Sequence, residues 1–112
     1  MSATPALLVN ADDLGLHPDI DRGIFACIDK GRVQSVSFSP QGQSLDWKKL
    51  ADLQRHGVRV GLHITLVGEP WLSDGRLIAG WKNLVKQMVS SSPQMRRDVE
   101  TEIARQFQVC AD

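Results

Sequence analysis

The sequence carries no excess of either charge, since 13 lysine and arginine residues are balanced by 13 aspartate and glutamate residues. Without a basic surplus, the chain lacks the attraction that brings proteins to nucleic-acid phosphates or to anionic lipid. Cysteine is also scarce, because Cys27 and Cys110 stand far apart and form no C-x-x-C spacing. Neither a zinc ribbon nor a disulfide framework is indicated. We therefore expect no nucleic-acid partner and a reducing, cytoplasmic location.

Long apolar segments are missing as well. The N-terminus has no basic segment, and its apolar run at residues 6–9 is too short for a signal peptide. No other segment predicts a membrane span, and no internal repeat is visible. A chain of 112 residues has the size of one domain with a modest core. We therefore interpret residues 1–112 as a single domain that does not enter a membrane.

Strand and helix patterns alternate from the start of the chain. Residues 6–10 are short, apolar and bounded by Pro5 and an acidic pair, which predicts a buried strand. A helix is predicted next, with Pro18 in its first turn and Gly31 at its end. Its apolar face is expected to consist of Ile20, Ile24, Cys27 and Ile28. The stretch "GRVQSVSFSP" then resumes a strand pattern that Pro40 ends.

The same cycle repeats after Pro40. Ser44 is the expected N-cap of a second helix that Gly57 ends, and "VRVGLHITL" gives a third strand. A loop at 68–80 leads to a short helix at 81–89, after which Ser92 and Pro93 begin a last helix. The charged residues of that helix are expected to form its solvated face: Arg96, Arg97, Asp98, Glu100, Glu102 and Arg105.

This order of elements predicts an α/β fold made of parallel βαβ units with right-handed crossovers. In such sheets, ligands gather beyond the carboxyl ends of the strands. Asp12 and Asp13 follow the first predicted strand, and His63 falls at the end of the third. We therefore look for chemistry at this edge of the sheet.

Asp12 and Asp13 are adjacent carboxylates, and successive side chains leaving a strand diverge. One carboxylate could bind a divalent ion while the other accepts a proton from water, a division of roles that metal-assisted hydrolysis needs. The alternative is that both residues only form a turn and help to cap the following helix. The residues alone leave both interpretations open.

His63 has two interpretations as well. A single histidine after an apolar run is more often a hydrogen-bonded core residue than a ligand, but a carboxylate at a neighbouring strand end favours the ligand. One aspartate and one histidine would still leave a metal short of the three protein ligands that stable sites usually have.

Two other residues are candidates for substrate contact. His17 is expected at the mouth of the same site, near a helix N-terminus. Trp71, in the loop "GEPWLSDG", could stack on the apolar face of a sugar or anchor the loop to the core. His56 precedes Gly57 at a helix C-terminus, where a structural role is expected.

The segment "VNADDLGLHPDIDRGIFACIDKGRVQSVSFSP", followed by "VGLHITLVGEP", resembles the amino-terminal part of the YdjC-like carbohydrate deacetylases. This family contains chitooligosaccharide deacetylase and the hopanoid-associated HpnK group. The resemblance runs from about Leu7 to Pro70, with "NADD-x-G" and "GLH-x-x-L" in the expected order.

The resemblance implies a distorted (β/α) barrel that hydrolyses the N-acetyl group of an acetylated amino sugar or oligosaccharide. It implies a divalent metal cofactor, magnesium or zinc. On this basis Asp13 and His63 are the expected metal ligands, and Asp12 is the expected general base. The assignment of roles between Asp12 and Asp13 could also be the reverse.

One departure from the family pattern bears on activity. Family members supply a further metal-binding histidine from a later segment, which this sequence lacks, and a complete barrel has roughly 250 residues. We therefore expect the first half of a barrel, a truncated product whose open strand edge favours a homo-oligomer or a complementing C-terminal fragment. The alternatives are an inactive remnant or interaction fragment, and another divalent-metal hydrolase such as a phosphoesterase.

Overall fold

Within residues 6–111 of the computed structural model, three parallel strands form one sheet in the order β1-β2-β3, and four helices accompany it. The structure describes residues 6–111. The elements are β1 Asn10–Leu14, α1 Pro18–Asp29, β2 Ser35–Phe38, α2 Trp47–Arg55, β3 Arg59–Leu62, α3 Trp81–Ser90 and α4 Ser92–Ala111. The predicted α/β class and the parallel βαβ units are confirmed, and closure into a barrel stays a prediction.

The two faces of the sheet differ in polarity. Val36 and Phe38 of β2 are buried and pack with Leu14, Ile24, Leu50 and Leu53, so α1 and α2 cover this face. On the opposite face, Asn10 accepts a hydrogen bond from the hydroxyl of Ser35 at 2.6 Å and donates one to Ser37 at 3.1 Å. The sheet therefore has one apolar face and one polar face.

The first strand lies further along the chain than predicted. The apolar residues Leu7, Leu8 and Val9 are exposed, whereas β1 runs from Asn10 to Leu14. Pairing aligns Asn10 with Ser35, and it brings Leu14 into the core against the helices. The placement at residues 6–10 was therefore wrong, because packing of Leu14 sets the register rather than the apolar run before it.

Two helix details also differ from expectation. The N-cap of α2 is Asp46, whose carboxylate accepts hydrogen bonds from the N–H groups of Lys48 and Lys49, and not Ser44. Cys27 is exposed on α1, because the helix turns Ile24, Phe25 and Ile28 toward the sheet.

A second core lies beneath the loop after β3. Trp71, Ile78 and Met95 are buried there, and they join this loop to α3 and α4. The expected solvated position of Glu102 was wrong, since its side chain is fully buried. Within residues 6–111, no helix combines the length and the apolar character that crossing a membrane requires.

Candidate functional site

A bulge at the end of β1 determines where the side chain of Asp13 points. Ala11 pairs with Val36 and Leu14 with Phe38, so β1 holds one residue more than β2 over this stretch. Asp13 takes up the extra length with φ at 68°, the only positive value for a non-glycine residue in the described chain. Aspartate tolerates this left-handed conformation better than most residues. Bulges often redirect a side chain next to an active site.

The redirected Asp13 carboxylate lies beside His63, although β2 separates their strands. Asp13 Oδ1 is 3.1 Å from His63 Nδ1, and both side chains are partly exposed. The N–H of His63 donates to the carbonyl of Phe38 at 2.8 Å, which extends the β2–β3 pairing one residue beyond β3. The structure thus brings together two of the residues that the sequence singled out.

The His63 ring nitrogen has an unusual environment. Nδ1 is buried and forms no hydrogen bond within residues 6–111, although Asp13 Oδ1 lies 3.1 Å away. A buried polar atom without a partner is costly, and a catalytic role or a bound ion is one explanation for it. Ligands of one metal ion at about 2.0–2.2 Å lie roughly 3 Å apart. The Asp13–His63 pair therefore fits two positions of a metal coordination sphere.

The rest of such a sphere is not formed by the described residues. Within 6–111, no group of three or more histidine, cysteine, aspartate and glutamate side chains is arranged to hold a metal ion. Asp13 and His63 would supply two ligands, and a third is needed for a typical protein site.

Asp12 contacts different partners from Asp13. Its side chain is exposed, and its Oδ1 accepts a hydrogen bond from Asn10 Nδ2 at 2.9 Å. Asn10 is itself held by Ser35 and Ser37 on the polar face of the sheet. The two adjacent carboxylates are thus held by separate networks.

An open cleft of about 330 Å³ lies beside Asp13 and His63. Its other walls include Leu16, Ser39 and Glu69. The volume is at the lower end of the range for small-molecule sites, roughly 300–1,000 Å³. Sequence reasoning missed Glu69, although its position in the loop that leaves the third strand could have indicated it.

The other predicted substrate residues lie elsewhere. His17 is the N-cap of α1, where its Nδ1 accepts a hydrogen bond from the N–H of Asp19 at 3.1 Å. Trp71 has 2% of its surface exposed, and its Nε1 donates to the carbonyl of Leu66 at 2.9 Å. Trp71 thus has no free face for a sugar in this structure. Its burial and its hydrogen bond to Leu66 fit the alternative role, an anchor that holds the loop to the core. A substrate contact by His17 stays a prediction.

Asp21 stabilises the turns behind the site, a role that sequence reasoning missed. One carboxylate oxygen accepts a hydrogen bond from the N–H of Gly15, and the other accepts one from the hydroxyl of Ser44, both at 2.7 Å. The N–H of Ser44 also donates to the carbonyl of Gly15 at 2.9 Å. The turn after β1 is therefore fixed to the turn after β2.

A larger groove of about 720 Å³ lies between α1 and α2, at the opposite edge of the sheet. It is lined largely by apolar side chains, including Phe25, Ile28 and Leu53. His56 is at its rim and caps α2, with Nδ1 2.7 Å from the carbonyl oxygen of Asp52. This hydrogen bond agrees with the structural role expected for His56.

The fold and the site define an α/β protein with an aspartate–histidine pair at the carboxyl ends of parallel strands. The chain belongs to the YdjC-like family, because the family model described as "YdjC-like protein" matches residues 6–112. This confirms the family that the two sequence motifs resemble.

The chain is also similar to a chitooligosaccharide deacetylase of Escherichia fergusonii, with 28% identity over 108 residues. The match covers 91% of this chain and 42% of that protein, so the chain spans less than half of the relative's length. No solved structure matches the chain at a significant level.

Proposed function

We propose that this chain carries part of the active site of a metal-dependent carbohydrate deacetylase. The observation that supports it is the approach of Asp13 Oδ1 to the buried, unpartnered Nδ1 of His63 at 3.1 Å. Membership of the YdjC-like family and the name of the Escherichia fergusonii relative suggest an acetylated chitooligosaccharide as the substrate. The (β/α) barrel implied by the resemblance is the fold we propose for the complete enzyme.

Asp13 and His63 are the residues that would hold a divalent ion, magnesium or zinc. When bound, such an ion polarises the acetyl carbonyl and lowers the pKa of water. Asp12 is the proposed general base that accepts a proton from the attacking water. The hydrogen bond from Asn10 fixes one oxygen of the Asp12 carboxylate, which limits the directions in which the side chain can point.

The proposed reaction is hydrolysis of an amide. A C–O bond forms between water and the acetyl carbon, the C–N bond breaks, and the proton taken from water ends on the leaving amine. The products are acetate and the free amino sugar. An open cleft beside Asp13 and His63 gives the sugar a place to bind.

Acetate release from an N-acetylated chitooligosaccharide, with magnesium or zinc present, tests the proposal. His63→Ala and Asp13→Ala should weaken metal binding and remove most turnover. Asp12→Asn should lower kcat by roughly 10²–10⁴-fold, the usual contribution of a general base, and leave metal affinity nearly unchanged. This difference separates the base from the ligands.

His56→Ala is the matched control, because this histidine caps α2 at the opposite edge of the sheet. It should leave acetate release unchanged. A wild-type chain that binds neither magnesium nor zinc, or a His63→Ala variant with unchanged metal affinity, would overturn the proposal. Phosphate release from a phosphate ester without acetate release would favour the phosphoesterase alternative.

A further inference from the structure

Helix α4 places two fully buried polar side chains against the loop that follows β3. Glu102 and Gln106 both have 0% of their surface exposed. The Glu102 carboxylate accepts hydrogen bonds from the N–H groups of Leu72 at 2.7 Å and Ser73 at 3.0 Å. Both residues bind backbone groups of the loop, but at different places.

The side-chain amide of Gln106 binds both backbone groups of Thr65, and its Nε2 also donates a longer hydrogen bond to Glu102 Oε1 at 3.3 Å. The Oε1 atom of Gln106 accepts a hydrogen bond from the N–H of Thr65 at 3.0 Å, and its Nε2 donates to the Thr65 carbonyl at 2.7 Å. A side-chain amide has the same donor and acceptor as a peptide group. Gln106 thus holds Thr65 as a neighbouring strand would, three residues beyond the end of β3 at Leu62.

Thr65 has further hydrogen bonds that fix the same segment. Its carbonyl also accepts from Gln41 Nε2 at 2.9 Å, and its hydroxyl donates to the carbonyl of His63 at 3.3 Å. Breaking a buried hydrogen bond leaves its partner unsatisfied, which is more costly than the bond's net contribution. The backbone around Thr65 therefore has little freedom to move.

His63 lies between two fixed points. Its N–H is bound to Phe38 of β2, and Thr65, two residues later, is bound to α4. Because Nδ1 of His63 has no hydrogen-bond partner within the described chain, the direction of the ring depends on the backbone that carries it. Gln106 therefore influences where His63 Nδ1 lies relative to Asp13.

We propose that Gln106 is a positioning residue for His63, and that α4 belongs to the framework of the site through this one side chain. The inference rests on the metal-binding role of His63 in the proposed function. Glu102 offers a matched comparison, since it is equally buried on the same helix, but its shorter hydrogen bonds go to Leu72 and Ser73, further along the loop. Its contact with Gln106 is longer, at 3.3 Å, and does not involve Thr65.

The experiment compares Gln106→Met with Glu102→Met in the full chain. Each variant replaces a buried polar side chain by an apolar one of similar length, so both should lower the melting temperature. The site is probed by titration with Co²⁺, whose visible absorption reports the ligand geometry. We expect Gln106→Met to weaken Co²⁺ binding by roughly 10–100-fold, the usual effect of residues that orient metal ligands. Glu102→Met removes the 3.3 Å bond to Gln106 but keeps both bonds from Gln106 to Thr65, so it should change the affinity and the absorption spectrum much less.

A second readout does not require metal. Only three histidines are present, so the imidazole signals of His17, His56 and His63 can be followed separately by NMR. In the metal-free chain, Gln106→Met should shift the His63 signals and leave those of His17 and His56 in place. If Gln106→Met does not fold, Gln106→Glu takes its place, since it keeps an acceptor for the Thr65 N–H but loses the donor.

The outcomes separate the two proposals. A wild-type chain that binds no Co²⁺ overturns the metal centre of the proposed function, and the His63 signals alone then decide the positioning role. His63 signals that are unmoved in the Gln106 variant overturn the positioning role. Equal losses of Co²⁺ affinity in the Gln106 and Glu102 variants also overturn it, because they would show a general structural effect.

Discussion

Gly42 lies directly against the carbonyl group of Gly15, so closely that a Cβ atom at position 42 would be 2.0 Å from that oxygen. The contact joins the turn after β1 to the turn after β2, behind Asp13. Only a residue without a side chain fits there.

Gly42→Ala should therefore force the two turns apart and lower the free energy of unfolding by about 1–3 kcal/mol, the typical effect of overpacking. Gly23→Ala is the control, because this glycine lies inside α1 and a Cβ atom added there would meet nothing within 4 Å. That substitution should stabilise the chain by about 0.5–1 kcal/mol through helix propensity. Urea unfolding of both variants checks the pair, and a neutral Gly42→Ala would contradict the close contact.

Substitutions of Asp13 should differ in their effect on stability but agree in their effect on metal affinity. Its positive φ costs an ordinary residue roughly 1–2 kcal/mol but costs glycine nothing. Asp13→Gly should therefore be more stable than Asp13→Ala by about that amount, while both variants lose the carboxylate and with it metal affinity. Chemical unfolding and metal titration of the two variants provide the measurement. Equal stabilities would show that the backbone relaxes at this position.

Acid should weaken the loop after β3 through Arg76. Its guanidinium donates hydrogen bonds to Asp74 and Asp98, and the bond to Arg76 lowers the pKa of the Asp74 carboxyl. The pKa of Asp98 is also lowered, first by Gln94 and then by Arg76. Because both pKa values are lower in the folded chain, the stabilisation is complete above the unfolded value of about 4 and is lost as pH falls through the folded values.

Arg76→Met tests this pH dependence. The substitution also removes the guanidinium from its position 4.6 Å from the centre of the Trp71 ring, which should lower stability at every pH. The informative quantity is therefore the change in unfolding free energy between neutral pH and pH values below about 4. We expect a smaller change in Arg76→Met than in wild type. Parallel curves for the two proteins would show that these carboxylates contribute nothing to acid sensitivity.

Trp71 should act on stability rather than on substrate affinity. Trp71→Ala would open a cavity in the second core and should cost about 3–5 kcal/mol. Trp71→Phe keeps an aromatic ring but leaves the carbonyl of Leu66 without its donor, so a loss of about 1–3 kcal/mol is expected. The KM for the oligosaccharide should not change in Trp71→Phe. A raised KM at unchanged stability would instead support the stacking role.

The order of elements could be predicted because its signals are local. Pro18 begins α1, and the glycines at 31 and 57 lie just beyond the ends of α1 and α2 with positive φ. The position of β1 could not be predicted in the same way. Its register depends on Leu14 packing against residues of α1 and α2, which are distant in sequence.

The residues of the candidate site could be predicted from the sequence, but the backbone geometry that brings them together could not. The parallel strand ends indicated that Asp12, Asp13 and His63 lie at one edge of the sheet, and the family resemblance paired Asp13 with His63. The bulge that turns Asp13 toward His63 has no sequence signal as clear as a glycine. The burial of Glu102 and Gln106 could not be predicted for another reason. On a helix rich in charges they resemble a solvated face, and their backbone partners lie 30 and 41 residues away in the chain.

The strand order also has a consequence for how the chain folds. Each strand pairs with the next one along the sequence, and paired residues are about 25 positions apart. Such moderate separations keep the entropy cost of closing each loop low, so the sheet can grow from its amino-terminal end during synthesis. Val36 in β2 is fully buried and serves both pairings. We therefore expect Val36→Ala to slow refolding more than it accelerates unfolding, and stopped-flow kinetics measure both rates. A larger effect on the unfolding rate than on the refolding rate would show that β2 joins the sheet last.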